Sequence, residues 1–256
     1  MSMTLEPRDL HEALRSGNLS LAYQAQWDIA DRARFSDARP VSVEALSRWH
    51  HEDAGDVSPG AFVPLAEQGR FLDALDVDVL QRATRQVAAW RADGHELGLS
   101  VNAAPSHFST AYADAALRAV DQVGLDPRAL TIEITETPSP QFSEAMRVGL
   151  QNLRSAGIGV SVDDFGAGDT TVDALRTWPI DEVKIDRSLV RRTDAEADAV
   201  IGAVVATARE HGWRVVAEGI ETIDDLDRSI RRGCDRGQGF LWGMPVPASD
   251  MAAMLG

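Results

Sequence analysis

The 256-residue sequence has one cysteine, Cys234, which excludes an intrachain disulfide and fits a reducing compartment. It is also short of positive charge: 25 Lys and Arg face 40 Asp and Glu, a formal net charge of −15. A field of that sign repels duplex nucleic acid and anionic membranes, so a phosphate-bearing ligand must be met by local cations or bound metal. No stretch is apolar for long enough to span a bilayer, which excludes direct membrane insertion through a helix. The N-terminal segment MSMTLEPRDLHEALRSG is charged and amphipathic and lacks the apolar core of a secretion signal. These absences predict a cytoplasmic location, for a whole protein or for the cytosolic domain of a larger one. The length suits a single domain, residues 1–256, with a substantial core.

What the chain does have is a rhythm centred on Gly159–Gly168, GVSVDDFGAG. Gly159–Val162 reads as a buried strand ending in two adjacent carboxylates, Asp163 and Asp164. Such neighbours repel unless a cation or proton sits between them. On either side, apolar runs alternate with amphipathic segments. Strands are expected at Leu19–Gln26, Val41–Leu46, Leu97–Val101, Leu130–Ile134, Glu182–Ile185 and Arg214–Ala217, with a last short one reaching Gln238. Helices are expected at Glu6–Arg15, Gly60–Glu67, Asp73–Ala92, Tyr112–Val123, Ser143–Ala156, Val172–Thr177, Ala195–His211 and Ile223–Arg232, most of them stopped by a glycine. Ala30–Arg39 reads as a turn. About eight strands alternating with helices predict an α/β fold, a (β/α)8 barrel; an open doubly wound sheet satisfies the same alternation. The strand count and the placement of polar residues favour the barrel.

Those polar residues are Glu44, Asn102, Glu133, Asp163, Asp164, Lys184, Glu218 and Gln238, expected near the C-terminal ends of strands. Any one acid after a strand is most simply a helix cap or a solvated loop residue. Repetition at one end of nearly every strand is not explained that way. A donor set of oxygens without His or Cys selects hard cations, Mg²⁺ or Mn²⁺. Lys184, between Val183 and Ile185, needs an anionic partner or solvent.

In sequence order, these residues fall in motifs that resemble the EAL domain family of cyclic di-GMP phosphodiesterases. The name-giving motif is Val43-Glu44-Ala45-Leu46-Ser47-Arg48-Trp49. Tyr23-Gln24, Ser100-Val101-Asn102, Glu133-Ile134-Thr135-Glu136, Asp163-Asp164-Phe165-Gly166-Ala167-Gly168, Lys184-Ile185-Asp186, Glu218-Gly219-Ile220-Glu221 and Gln238-Gly239-Phe240 are similar to its other motifs, from about Leu19 to Pro247. The resemblance implies a modified barrel whose first strand is antiparallel. It implies one Mg²⁺ or Mn²⁺ on Glu44, Asn102, Glu133 and Asp163, and a second on Asp163 and Asp164. Glu218 would orient or deprotonate water, Lys184 would hold it, and Arg48 would contact a phosphate. Gln24, Leu46, Asp186, Glu221 and Gln238 would meet the nucleotide, Glu136 would steady the loop after the paired aspartates, and the product would be linear pGpG. A homodimer contact is implied through the loop and helix after Asp164.

The chain departs from the family pattern at Ala25, at Ala104 and at Asp169-Thr170-Thr171-Val172, where the family reads YSSL. A second reading is a receptor that binds cyclic di-GMP without turnover; the presence of Glu218 and Lys184 argues against it. A third, an enolase-type Mg²⁺ enzyme, gives no reason for Arg48 beside Glu44. His50-His51-Glu52-Asp53 reads as a solvated loop rather than a metal site, because chelating histidines on a helix are spaced i, i+4. Cys234 reads as a small buried hydrophobe. Arg187, Arg191 and Arg192 read as a solvated helix entry able to aid phosphate approach.

Overall fold

Helix α1 (Pro7–Ser16) opens the chain on a capping box made by Glu6 and Asp9, and Gly17 ends it in a left-handed turn. The computed structural model describes residues 4–30, 39–106, 108–135 and 143–256; the expected turn at Ala30–Arg39 and Glu136 fall largely or wholly outside them. Strand β1 (Leu19–Asp28) is antiparallel to β2 (Pro40–His51), with Gln24 opposite Glu44. A short β3 (Gly55–Val57) pairs back onto the end of β2. Helices α2 (Pro59–Gly69) and α3 (Leu72–Ala92) lead to β4 (Gly98–Asn102), which is parallel to β2. The α/β alternation then continues through α4 (Thr110–Val123), β5 (Leu130–Thr135), α5 (Glu144–Ser155), β6 (Gly159–Phe165), α6 (Val172–Leu175) and β7 (Glu182–Ile185). It ends with α7 (Arg187–Val190), α8 (Ala195–His211), β8 (Arg214–Ala217), α9 (Ile223–Arg232), β9 (Arg236–Gln238), β10 (Val246–Pro247) and α10 (Ala248–Leu255).

Neighbouring pairs from β2 through β4 to β9 are all parallel, and β1 closes the ring by pairing antiparallel with both β9 and β2. The result is an eight-stranded (β/α)8 barrel with an antiparallel first strand; β3 and β10 are short additions at its rim. Period-2 alternation explains how one sequence builds both core and site. Val43, Ala45, Leu99, Val101, Ile132, Ile134, Val160, Val162, Val183 and Ile185 are buried in the hydrophobic core. The alternating positions Ser42, Glu44, Ser100, Glu133, Ser161, Asp163, Glu182 and Lys184 are buried too, and they are polar. Packing thus selects one face of each strand and leaves the other to chemistry.

The structure adds two features to the sequence expectation. The second strand continues five residues past Leu46, because its end forms a hairpin with β3; Glu44 is therefore mid-strand rather than terminal. The sixth strand runs through both aspartates to Phe165. His50 and His51 fall on the β2–β3 hairpin, where His50 Nδ1 lies 2.7 Å from Asp56 Oδ1 and His51 Nδ1 accepts from the Asp53 backbone N–H at 3.1 Å. Cys234 is buried, and burial pushes its thiol pKa up to about 12.

Candidate active site

The adjacent aspartates are placed by a break in the ladder. Val162 pairs with Val183 and Phe165 with Ile185, so two residues of β6, Asp163 and Asp164, oppose only Lys184 of β7. This is a β-bulge, which re-aims a side chain that strict alternation would send to the opposite face. Asp164 takes up the extra residue in a left-handed conformation (φ 60°), shared by only one other non-glycine among the described residues, Arg70. Its backbone N–H donates to Asp163 Oδ1 at 3.0 Å, which fixes the first carboxylate.

Lys184 is the only lysine in the sequence, and its side chain has no solvent exposure. Its Nζ lies 2.8 Å from Glu218 Oε1, 2.9 Å from Asp163 Oδ1, 3.0 Å from Glu133 Oε2 and 3.4 Å from Glu44 Oε2. One ammonium therefore faces four carboxylates from four strands or strand ends. Burial alone would lower the lysine pKa, but Asp163, Glu133, Glu218 and Glu44 together hold it well above its ordinary value. Burial raises Glu133, Glu218 and Asp163, and mutual repulsion adds to it. Glu44 is the exception. Burial pushes it up, yet Lys184 and the amide donors of Gln238 and Asn102 outweigh that and hold it below the usual carboxylate range. Asp164 is raised to about 6, first by burial and then by Asp163.

The amides form a positioning relay. Asn102 Nδ2 donates to Glu44 Oε1 at 2.8 Å, and Gln238 Nε2 donates to Glu44 Oε2 at 2.7 Å and to Gln24 Oε1 at 3.1 Å. Gln26 Nε2 in turn donates to Gln238 Oε1 at 3.1 Å. This relay runs between antiparallel β1 and β9 and fixes the carboxylate of β2.

Glu44, Glu133 and Asp163 place one carboxylate oxygen each within 4.8 Å of one another, and Asp163, Asp164 and Glu218 form a second such group. Asp163 belongs to both. Glu133 Oε1 is buried and has no hydrogen-bond partner among the described residues, an acceptor that a cation would satisfy. All donors are hard oxygens, so the residues fit Mg²⁺ or Mn²⁺. Glu218 groups with Asp163 and Asp164, which makes it a possible ligand as well as a base; sequence reasoning gave it only the second role.

Two cavities meet here. The smaller, about 380 Å³, is lined by Gln24, Glu44, Asp163, Asp164, Asp186 and Glu218 among others, with Glu221 and Gln238 also on its wall. The larger, about 710 Å³, is mainly apolar and runs from Arg48 and Asn102 to Asp76 on α3. Leu46 lines both. All the sequence-predicted residues inside the described regions converge on these two spaces or on Lys184. Asp186 also caps α7, accepting from Ser188 N–H at 2.8 Å, and Glu221 is ion-paired with Arg191. Beyond the aspartates the departing loop is exposed at Asp169, and Thr171 replaces a family serine as the N-cap of α6, accepting from Ala174 N–H at 3.2 Å.

Asp76 was not singled out from the sequence. It accepts from the Ala104 backbone N–H at 3.0 Å, and burial raises its pKa to about 7. Its signal was periodicity: it sits on the stripe Leu72, Leu75, Val79, Leu80 of α3, where an acid is out of place. A folded-state pKa above the unfolded value of about 3.9 means the native state holds the extra proton, so stability falls as pH rises from about 4 to about 7 and stays low above it. Asp76→Asn, which keeps an acceptor for Ala104 N–H, is expected to raise the melting temperature more at pH 8 than at pH 5. Thermal unfolding at the two pH values checks this; an equal or smaller gain at pH 8 contradicts it.

Comparison with known proteins places this geometry. The family model described as EAL domain matches residues 7–245. The bifunctional diguanylate cyclase/cyclic di-GMP phosphodiesterase MucR of Pseudomonas aeruginosa is 34% identical over 249 residues, which cover 96% of this chain and 36% of MucR. The cyclic di-GMP phosphodiesterase PA2567 of the same organism is 37% identical over 229 residues, 88% of this chain and 38% of that protein. The chain thus spans a little over a third of the length of these curated relatives. Among solved structures, the PaMucR phosphodiesterase in complex with c-di-GMP superposes with a TM-score of 0.85 at 34% identity, covering 95% of this chain and 98% of that one. The EAL domain of Mycobacterium smegmatis DcpA gives 0.73 at 30% identity, over 93% and 97%. The chain belongs to the EAL domain family.

Proposed function

We propose that this chain is a metal-dependent phosphodiesterase that hydrolyses cyclic di-GMP to linear pGpG in second-messenger signalling, as a single domain over residues 1–256. The observation that carries the reading is the pair of carboxylate groups sharing Asp163 beside one buried lysine. Glu44, Asn102, Glu133 and Asp163 would hold one Mg²⁺ or Mn²⁺, and Asp163 with Asp164 a second. Bound there, the ions supply Lewis-acid neutralisation of phosphoryl oxygens and acidify water. Arg48, on the wall of the larger cavity, contributes a guanidinium to a phosphate oxygen. Glu218 accepts the proton of the attacking water, and Lys184 at 2.8 Å holds that carboxylate in place. Gln24 and Gln238, cross-linked to each other, fix the floor on which the sugar-phosphate ring rests.

Beyond the reacting phosphate, the larger cavity suits a guanine base. Its apolar walls cover the ring, and Asp76 supplies an acceptor for the N1–H and N2–H donors of guanine. A carboxylate buried at a cost in stability is the kind of group kept for ligand binding. A homodimer through the loop and helix after Asp164 belongs to the same reading, and Gly166–Asp169 is exposed for it.

The test is incubation of the purified protein with cyclic di-GMP and Mg²⁺ or Mn²⁺, followed by chromatography. Linear product is expected, with the rate cut by at least about a hundredfold in Glu44→Ala. Full activity in Glu44→Ala would reject the site.

A further inference from the structure

Below the carboxylates, toward the N-terminal ends of the parallel strands, the barrel carries a second ionic group that the proposed reaction does not use. Barrel interiors are normally filled by layers of branched apolar side chains. Here the positions two residues before Glu44, Asn102, Asp163 and Lys184 are Ser42, Ser100, Ser161 and Glu182, all buried. Alternation puts each on the same strand face as the site residue above it. Glu182 is almost wholly buried, and its Oε2 accepts from Arg214 Nε at 2.5 Å, from its register neighbour on β8.

Register carries this group up to the site. Glu133 of β5 pairs with Ser161 of β6, and Ser161 pairs with Glu182 of β7. Only a serine therefore stands between two buried glutamates, whose backbones are two strand spacings, or about 10 Å, apart. Glu133 contacts Lys184, which shares the inward face of β7 with Glu182. The charge of Glu182 reaches Glu133, where, after burial, it adds to the repulsion from Glu44 and Asp163. Glu182 Oε1 is buried and has no hydrogen-bond partner among the described residues, and the same holds for Ser161 Oγ. The negative charge is thus met by Arg214 on one oxygen only, in a place where little water screens it. Arg236 of β9 is the other cation of this layer: burial and then Arg214 bring its pKa down to about 10, with Glu182, Asp28 and Asp235 acting in the opposite direction.

Resting on the metal site of the proposed function, we propose that Glu182 is a positioning residue for that site, its charge strengthening divalent-cation binding at Glu133 from one layer below. A cation at Glu44, Glu133 and Asp163 is attracted by Glu182 as well, and without that charge Arg214 and Arg236 oppose it. The effect acts through space, with no bond from Glu182 to the metal. It therefore depends on the charge at position 182 and not on the shape of the side chain.

Mn²⁺ affinity by calorimetry, with the melting temperature in chelator as the measure of fold, tests this. Glu182→Gln keeps the shape and an acceptor for Arg214 but removes the charge, and is expected to weaken Mn²⁺ binding about tenfold. Glu182→Asp keeps the charge on a shorter side chain, and is expected to bind within about threefold of the unaltered protein. Arg214→Met removes counter-charge and is expected to tighten binding about threefold. Combining Glu182→Gln with Arg214→Met removes both charges and should return the affinity to within about threefold of the unaltered protein. If Glu182 only held the barrel floor together, Glu182→Asp would be the damaging change and Glu182→Gln the silent one. That order, or unchanged Mn²⁺ affinity in folded Glu182→Gln, overturns the proposal. So does a folded double variant that binds no better than Glu182→Gln; if the Arg214 variants do not fold, the Gln and Asp pair decides. No Mn²⁺ binding by the unaltered protein would overturn the metal site and this proposal together. Mn²⁺ binding without hydrolysis of cyclic di-GMP would reject the phosphodiesterase reading, with Glu182 still judged by the affinities.

Discussion

Lys184→Met is expected to destabilise the metal-free protein by about 3–5 kcal/mol, the usual consequence of removing one member of a buried ionic cluster. For a domain of this size that is a fall in melting temperature of about 10 °C. Its ammonium is the counter-charge to Glu44, Glu133, Asp163 and Glu218, all within 3.4 Å, and no other lysine exists in the chain to replace it. Methionine fills the volume but leaves the acids to repel one another. Divalent metal should restore part of the loss, so Mn²⁺ is expected to raise the melting temperature of the variant by more than that of the parent. Calorimetry with chelator and with Mn²⁺ measures both effects. Equal melting temperatures in chelator would mean that Lys184 does not hold the carboxylates together.

Glu218→Gln should have the largest effect on turnover. The side chain is nearly isosteric but cannot accept a proton, and general-base catalysis contributes roughly 10²–10⁴-fold. A fall in kcat of about a thousandfold is expected, with KM changed by less than about threefold because the substrate contacts remain. The sign of the environment fits the role: burial and Asp163 raise Glu218, which makes it a stronger base than a solvated carboxylate, while Lys184 keeps it oriented. Steady-state kinetics on folded protein decides it. A change confined to KM would make Glu218 a binding residue instead.

The sequence carried the barrel because its alternation is physical at two scales. Strands and helices follow one another at short intervals, and within β4–β7 apolar residues alternate with polar ones. That second alternation is also why Glu44, Glu133, Asp163 and Lys184 were visible as a set. Other features were not legible because they depend on tertiary pairing. The extension of β2 past Leu46 exists only because β3 folds back on it. The bulge that sets Asp163 and Asp164 against Lys184 is a count of residues on two strands distant in sequence. The proximity of Glu218 to the second carboxylate group could not be separated from its expected role as base. Asp76 was visible as an acid on an apolar stripe, but its meaning required the loop at Ala104 to be brought against it. The three arginines after Lys184-Ile185-Asp186 looked alike in sequence and differ in the fold, where Arg191 and Arg192 are paired and Arg187 stands in the cavity wall.

Under the proposed activity, water activated at the Asp163-centred site opens a phosphodiester of cyclic di-GMP. Hydrolysis in ¹⁸O-labelled water with Mg²⁺ or Mn²⁺, followed by mass spectrometry of the product, measures that step directly. One ¹⁸O atom is expected in the 5′-phosphate of pGpG, with no product when the metal is chelated. Intact cyclic di-GMP after incubation with folded, metal-supplied protein, or linear product without the label, would contradict it.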